Sequence, residues 1–295
     1  MLRKLLIALA CTWVPACAEP APTPQDHALV VHDDAGREVR LAQPARRIVS
    51  LLPTVTDLLL AMHVHDRLIA RTDFDTDARL AALPSLGGGL TPSVEWLAQQ
   101  RPDLVIAWPD QGARSLVGRL ASVGVPVYAA RSETIEDTDR ILDRLGTLLE
   151  IERQADSLRN SIRAALDSVR SAVRARQPVR VAYVVGLDPP MVAAARTFID
   201  ELITIAGGRN IFPDLELWPQ VNLEELLQRD PEVIVIADTG TGDPLVSLRR
   251  LPGWRELRAV RTGRVHRVSP YFFNRSGATM PSAARELARF FHSAP

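Results

Sequence analysis

Between Ile151 and Arg176 apolar residues recur at Ile151, Ala155, Leu158, Ile162, Ala165, Leu166, Val169 and Val173, and the run contains neither glycine nor proline. That three-and-four spacing lays them along one face of a helix, and at 1.5 Å per residue it predicts a rod about 39 Å long, long enough to tie two lobes together. On either side the pattern changes to short apolar runs separated by helical stretches. Leu29 to Leu41 alternates around Asp34-Ala35-Gly36, a hairpin signature. Ile48–Leu52, Leu68–Ala70 and Val125–Ala129 read as strands before the rod, Val179–Val185 and Val265–Val268 as strands after it. Helices are expected through Met62, capped by Thr54 or Thr56, over Ser132–Leu149 leading into the rod, over Thr197–Ala206 ended by Gly207-Gly208, and over Ser282–Phe291.

One pattern occurs twice. Ser93 to Ala107 reads as a capped helix, a proline turn and a buried strand, and Asn222 to Ile236 repeats it. Glu95 aligns with Glu224, Leu97 with Leu226, Gln99 with Gln228 and Pro102 with Pro231. Duplication at this scale, with strands and helices alternating, predicts an α/β protein of two similar Rossmann-like lobes joined by a single long backbone helix. The expected organisation is a signal at 1–18, a tether and N-terminal hairpin at 19–45, an N-terminal lobe at 46–150, the backbone helix at 151–176 and a C-terminal lobe at 177–295.

Composition adds the compartment. Arg3 and Lys4 precede an apolar run from Leu5 to Val14 and small residues at Ala16-Cys17-Ala18, the order of a secretory signal. Cleavage after Ala18 is one outcome. The other follows from Val14-Pro15-Ala16-Cys17, which resembles a bacterial lipobox in which Cys17 becomes an acylated N-terminus, though Pro15 is unusual there. Cys11 and Cys17 are the only cysteines, so the folded part holds neither an internal disulfide nor a thiolate metal site. Without the first 18 residues, 33 basic residues face 35 acidic ones, a formal charge of −2 with no basic block, which argues against nucleic acid.

The motifs of enzymes are missing. There is no Gly-x-Ser-x-Gly elbow, no phosphate-binding glycine-lysine loop and no His-Glu-x-x-His helix, and Gly87-Gly88-Gly89 lacks the spacing of a dinucleotide fingerprint. His63 and His65 form the only close histidine pair; they sit at a helix end, where alternate residues do not share a face, so no metal and no cofactor are expected. Aromatic residues are 5% of the chain, and several fall at strand or loop edges: Trp108 after a strand, Trp218 in an acidic, proline-containing loop, Phe74 in a polar loop, and Tyr271-Phe272-Phe273. Loops at the carboxyl edge of a parallel sheet are where ligands bind, so these residues point to a shared aromatic cleft. Glu95 and Glu224 complement a helix dipole where they stand, and as an equivalent pair they also suit a two-fold partner bearing arginines.

From about Arg47 to Arg289 the chain resembles the periplasmic binding proteins of bacterial ABC importers, in the cluster with a helical backbone that handles cobalamin, siderophores and haem. The likeness is carried by Pro102-Asp103-Leu104-Val105-Ile106-Ala107-Trp108 and Trp218-Pro219-Gln220-Val221, and is strongest to the cobalamin-binding members. It implies that Thr54, Phe74, Trp108, Met191, Trp218 and Arg275 line a corrinoid cleft, and that Glu95 and Glu224 dock on arginines of a permease dimer. It further implies a monomeric, non-enzymatic carrier in the periplasm, with modest lobe closure. Two positions depart from the pattern: Gly89 stands where a cleft Trp is expected, and Met191 where a Phe is. The disulfide associated with the cobalamin binders is also missing. A siderophore or haem carrier of the same fold is the alternative, with Arg71, Arg196 and Arg275 as cleft cations; an envelope enzyme or adaptor is a third.

Overall fold

The structure is a computed structural model that describes residues 28–109 and 115–292. The signal segment, Cys17 and most of the tether lie outside these residues. In chain order the elements are β1 (Leu29–His32), β2 (Glu38–Leu41), β3 (Ile48–Ser50), α1 (Pro53–Ala61), β4 (Leu68–Ala70), α2 (Val94–Gln99), β5 (Leu104–Ala107), α3 (Leu116–Ser122), β6 (Val127–Ala129), α4 (Ile135–Leu149) and α5 (Glu152–Val173). There follow β7 (Val179–Leu187), β8 (Pro190–Val192), α6 (Phe198–Ile205), β9 (Gly208–Asn210), α7 (Leu223–Arg229), β10 (Val233–Ala237), α8 (Pro244–Arg250), α9 (Arg258–Arg261), β11 (Val265–Val268), α10 (Pro270–Phe273) and α11 (Met280–His292).

The internal repeat becomes a shared topology. In the first lobe the strands run β4-β3-β5-β6, all parallel. In the second, β9, β7, β10 and β11 take the same order and are also parallel, with β8 added antiparallel to the end of β7. The repeated segments are α2–β5 and α7–β10, in equivalent places. Each sheet reverses its strand order beside its first strand, between β3 and β5 and between β7 and β10, and such switch points open crevices at the carboxyl ends of strands. The second sheet is covered on both faces. Val181, Tyr183, Val233 and Val235 join the core that continues into the first lobe, while Ala182, Val184, Ile234 and Ile236 face a second core built on Phe212, Leu248 and Trp254.

Helix α5 has 22 residues, about 33 Å by the usual rise, and buries Ala155, Ile162, Leu166 and Val169. It packs on α4 of the first lobe and on α6 and α11 of the second. It is shorter than the periodicity predicts. At its start Glu150 turns left-handed (φ 52°) and Ile151 donates to the Gly146 carbonyl at 2.9 Å, a corner that separates α4 from α5. Gly146 lets this corner pack closely, since a Cβ on it would lie 3.2 Å from the Ala155 Cβ and 3.3 Å from the Glu152 Cα.

The hairpin β1–β2 belongs by packing to the first lobe. Asp34 in its turn receives Arg140 Nε at 2.8 Å, Arg144 Nη1 at 2.6 Å and the Arg131 backbone N–H at 2.7 Å. Helix α1 starts earlier than expected, because Pro53 takes its first position, where no N–H is required. Thr54 and Thr56 are therefore inside the helix and neither caps it; Thr56 Oγ1 donates to the Leu52 carbonyl instead.

Candidate ligand-binding cleft

Thr54 lies in the first turn after β3, and Trp108 directly follows β5, so adjacent strands deliver both to the switch point of the first sheet. The loop after β6 brings Ser132 and Glu133 to the same edge. From the second lobe Val185 comes from the last part of β7 and Met191 from β8, which pairs with it. Trp218 sits in a loop held against that edge, where Val192 donates to the Pro219 carbonyl at 3.1 Å and Ala194 to the Leu217 carbonyl at 2.9 Å. These residues, with Phe198 and Asn274, enclose a cavity of about 270 Å³ between the lobes. It adjoins an outer hollow of about 720 Å³ that shares Trp108 and Glu133 and adds Pro109, Arg131, Thr134, Glu136, Asp137, Arg196 and Leu217.

Of the six expected ligand residues, four line the inner cavity: Thr54, Trp108, Met191 and Trp218. Phe74 and Arg275 are brought together elsewhere. The Arg275 guanidinium is paired with Asp57 at 2.9 Å, and its Nη2 donates to the Phe74 carbonyl. The Phe74 ring is exposed and stands over Gly88. Arg71 and Arg196 also stay out of the inner cavity: Arg71 Nη1 donates to the Thr72 carbonyl at 3.1 Å, and Arg196 pairs with Glu216 at 3.0 Å on the rim.

Sequence reasoning does not reach Ser132, Glu133, Val185, Phe198 or Asn274. A signal exists for two of them, since Ser132 and Glu133 immediately precede the capping Thr134 and follow a strand, which is the carboxyl-edge position of the fold. Asn274 is fixed by the buried Tyr183, whose hydroxyl donates to Asn274 Oδ1 at 2.6 Å. Glu133 spans the lobes twice, its backbone carbonyl accepting from the Phe198 N–H at 2.5 Å and its Oε2 from Trp218 Nε1 at 3.1 Å.

The position of the absent cleft Trp has a physical reason. Gly89 is buried with φ +81°, and a Cβ there would lie 2.9 Å from the Leu51 carbonyl oxygen and 3.1 Å from Thr72 Cγ2. No side chain fits that place.

Glu95 and Glu224 occupy the second position of α2 and α7, behind the caps Ser93 and Asn222, which accept from Trp96 and Glu225 N–H groups at 3.1 and 2.7 Å. Both carboxylates are exposed. Each helix runs back along its sheet, so its N-terminus lies on the carboxyl-edge side, and neither carboxylate lines the inner cavity or the outer hollow. The Glu95 backbone N–H, and then the Ser93 hydroxyl, lower the Glu95 carboxyl from its ordinary value.

The sequence profile of the periplasmic binding proteins matches residues 48–271, from β3 to α10. The chain belongs to the periplasmic binding protein family. Membership brings a small-ligand transport role and an extracytoplasmic location. The vitamin B12-binding protein of Yersinia pestis is 28% identical over 258 residues, covering 86% of this chain and 89% of its own length. Among solved structures, the periplasmic vitamin B12 binding protein of Vibrio cholerae superposes with a TM-score of 0.72 at 25% identity, covering 84% of this chain and 97% of that one. A periplasmic haem binding protein of Pseudomonas aeruginosa gives 0.74 at 25% identity over 85% and 94% of the two chains. The Fe3+-hydroxamate transport protein of Saccharomonospora viridis, at 24% identity and a TM-score of 0.75 over 90% and 99%, shares the fold.

Proposed function

We propose that the protein captures cobalamin or a related corrinoid in the periplasm and hands it to an inner-membrane ABC importer. The observation that carries this reading is the interlobe cavity. Two indole rings, a thioether and Phe198 line it beside Thr54, Ser132, Glu133 and Asn274, and among the described residues no arginine lines it, Arg131 and Arg196 standing in the outer hollow. Apolar faces suit a flat macrocycle without ionic anchors, whereas an anionic catecholate siderophore favours arginines in the cleft. The inner cavity of about 270 Å³ takes only part of such a ligand, and the outer hollow, with Trp108 on their shared wall, receives the remainder.

The reading assigns ligand contact to Thr54, Trp108, Met191 and Trp218, and a supporting place to Phe74 and Arg275, which stand outside the inner cavity. The carrier is a monomer without catalytic activity or resident cofactor. It is tethered through acylated Cys17 or released by cleavage of the signal, and it docks Glu95 and Glu224 on a permease dimer. The test is a spectroscopic titration with cyanocobalamin, haem and ferric chelates. Tight binding of the corrinoid supports the reading; no corrinoid binding at micromolar concentration beside tight binding of haem or a ferric chelate sinks it.

A further inference from the structure

Glu133 is the one charged residue lining the inner cavity among those described. Its place is fixed from several directions: the backbone N–H donates to Asp137 Oδ2 at 2.8 Å, the backbone carbonyl accepts from Phe198 at 2.5 Å, and Oε2 accepts from Trp218 Nε1 at 3.1 Å. Among the described residues Oε1 makes no hydrogen bond. Arg196 and Arg275 are held in ion pairs, Arg71 donates to the Thr72 carbonyl while its buried Nε has no partner, and Arg131 and Arg196 line the outer hollow and not the inner cavity. The inner cavity therefore presents a negative acceptor held at the edge of the Trp218 indole.

We propose that Glu133 is a specificity residue: it accepts a hydrogen bond from an uncharged donor on the ligand, a primary carboxamide, and rejects a carboxylate in the same place. The inference rests on the corrinoid reading and names what the inner cavity distinguishes on such a ligand. The corrin periphery carries primary carboxamides, whose N–H groups suit Oε1. A carboxylate of the same size brings no donor and a second negative charge, and like charges at a binding surface are strongly disfavoured. A site built to receive a donor discriminates far more sharply than one that only fits a shape. Haem, which carries propionates, meets the same obstacle.

The experiment compares wild type with Glu133→Gln by titration against cyanocobalamin and its three monocarboxylic acids, each with one propionamide hydrolysed. Glutamine keeps the size of the side chain and an acceptor for Trp218 while removing the charge. At least one acid is expected to bind wild type about tenfold or more weakly than the parent, and the substitution to abolish most of that gap. The ratio of two affinities within one protein is insensitive to partial loss of folded material. The proposal is overturned if all three acids bind wild type as tightly as the parent, or if the weaker acid is just as weak against Glu133→Gln. Absence of cyanocobalamin binding to wild type is a separate result, which overturns the corrinoid reading and this inference with it.

Discussion

Arg275 of the second lobe pairs with Asp57 of α1 at 2.9 Å, with 11% and 23% of their side chains exposed. Burial pushes the Asp57 carboxyl up, and the Arg275 hydrogen bond offsets this only in part. Each partner removed alone leaves a largely buried charge uncompensated. Asp57→Ala and Arg275→Ala should each cost about 1–3 kcal/mol, and the double variant less than their sum. Urea denaturation of the four proteins checks this; strict additivity would mean that the pair is not coupled.

Trp218 supplies a flat face and, through Nε1, its bond to Glu133. Trp218→Ala and Trp108→Ala should each weaken corrinoid binding about thirtyfold, the effect of removing an aromatic anchor of about 2 kcal/mol. Trp218→Phe keeps the face and loses the bond, so its loss should be smaller, about three- to tenfold. Fluorescence titration measures all three, and equal losses for Phe and Ala at position 218 would contradict the division of roles.

Acid should weaken the hold on the hairpin. Burial alone would push Asp34 up, but the Arg131 N–H and the guanidiniums of Arg140 and Arg144 outweigh it and hold the carboxyl below its ordinary value. A carboxyl lowered in the folded state adds stability above its unfolded value of about 3.9, and that stability is lost as the pH falls through the lowered folded value. Asp34→Asn should therefore cost about 1–3 kcal/mol at pH 7, with a difference from wild type that narrows below pH 4. Melting curves at pH 7, 4 and 2 test it; a gap independent of pH would refute the argument.

Gly89 is held left-handed against the Leu51 carbonyl. Gly89→Ala should destabilise the protein by about 1–3 kcal/mol although it adds one methyl group. Thermal melting reads this directly, and an unchanged midpoint would show that the loop shifts freely.

Replacing Glu95 and Glu224 together by Ala should abolish transport through the cognate permease in proteoliposomes while leaving ligand affinity as it was. Both side chains are exposed at equivalent helix starts, away from the inner cavity. Lost affinity would give the carboxylates a different task.

Much of the fold is written locally. The duplicated segments, the caps Ser93 and Asn222 and the alternation of strands are all short-range signals, and the two sheets follow from them. What the chain does not disclose is how distant segments meet. Arg275 reads as a cleft cation until Asp57, 218 positions away, is found beside it. Glu133 reads as part of a helix over Ser132–Leu149 until Thr134 is found to cap that helix and Trp218, 85 positions on, to donate to the Glu133 carboxylate. Pro53 explains the displaced start of α1, since its fixed φ suits the first helical position and leaves Thr54 and Thr56 inside the helix. Strand order stays hidden for the same reason as the ion pair: pairing is non-local, and the hydrophobic pattern of β3 or β5 names no neighbour.

Strands β3 to β6 all precede α5, and β7 to β11 all follow it, so each sheet is assembled from one uninterrupted stretch of chain. For a polypeptide threaded across a membrane from its N-terminus, this order sets a timetable. The first lobe can complete its hydrogen-bonded ladder while the second is still in transit, and α5 arrives next to pack on α4. Neither half waits for a strand held by the other, which limits the interval in which bare sheet edges are open to unwanted association.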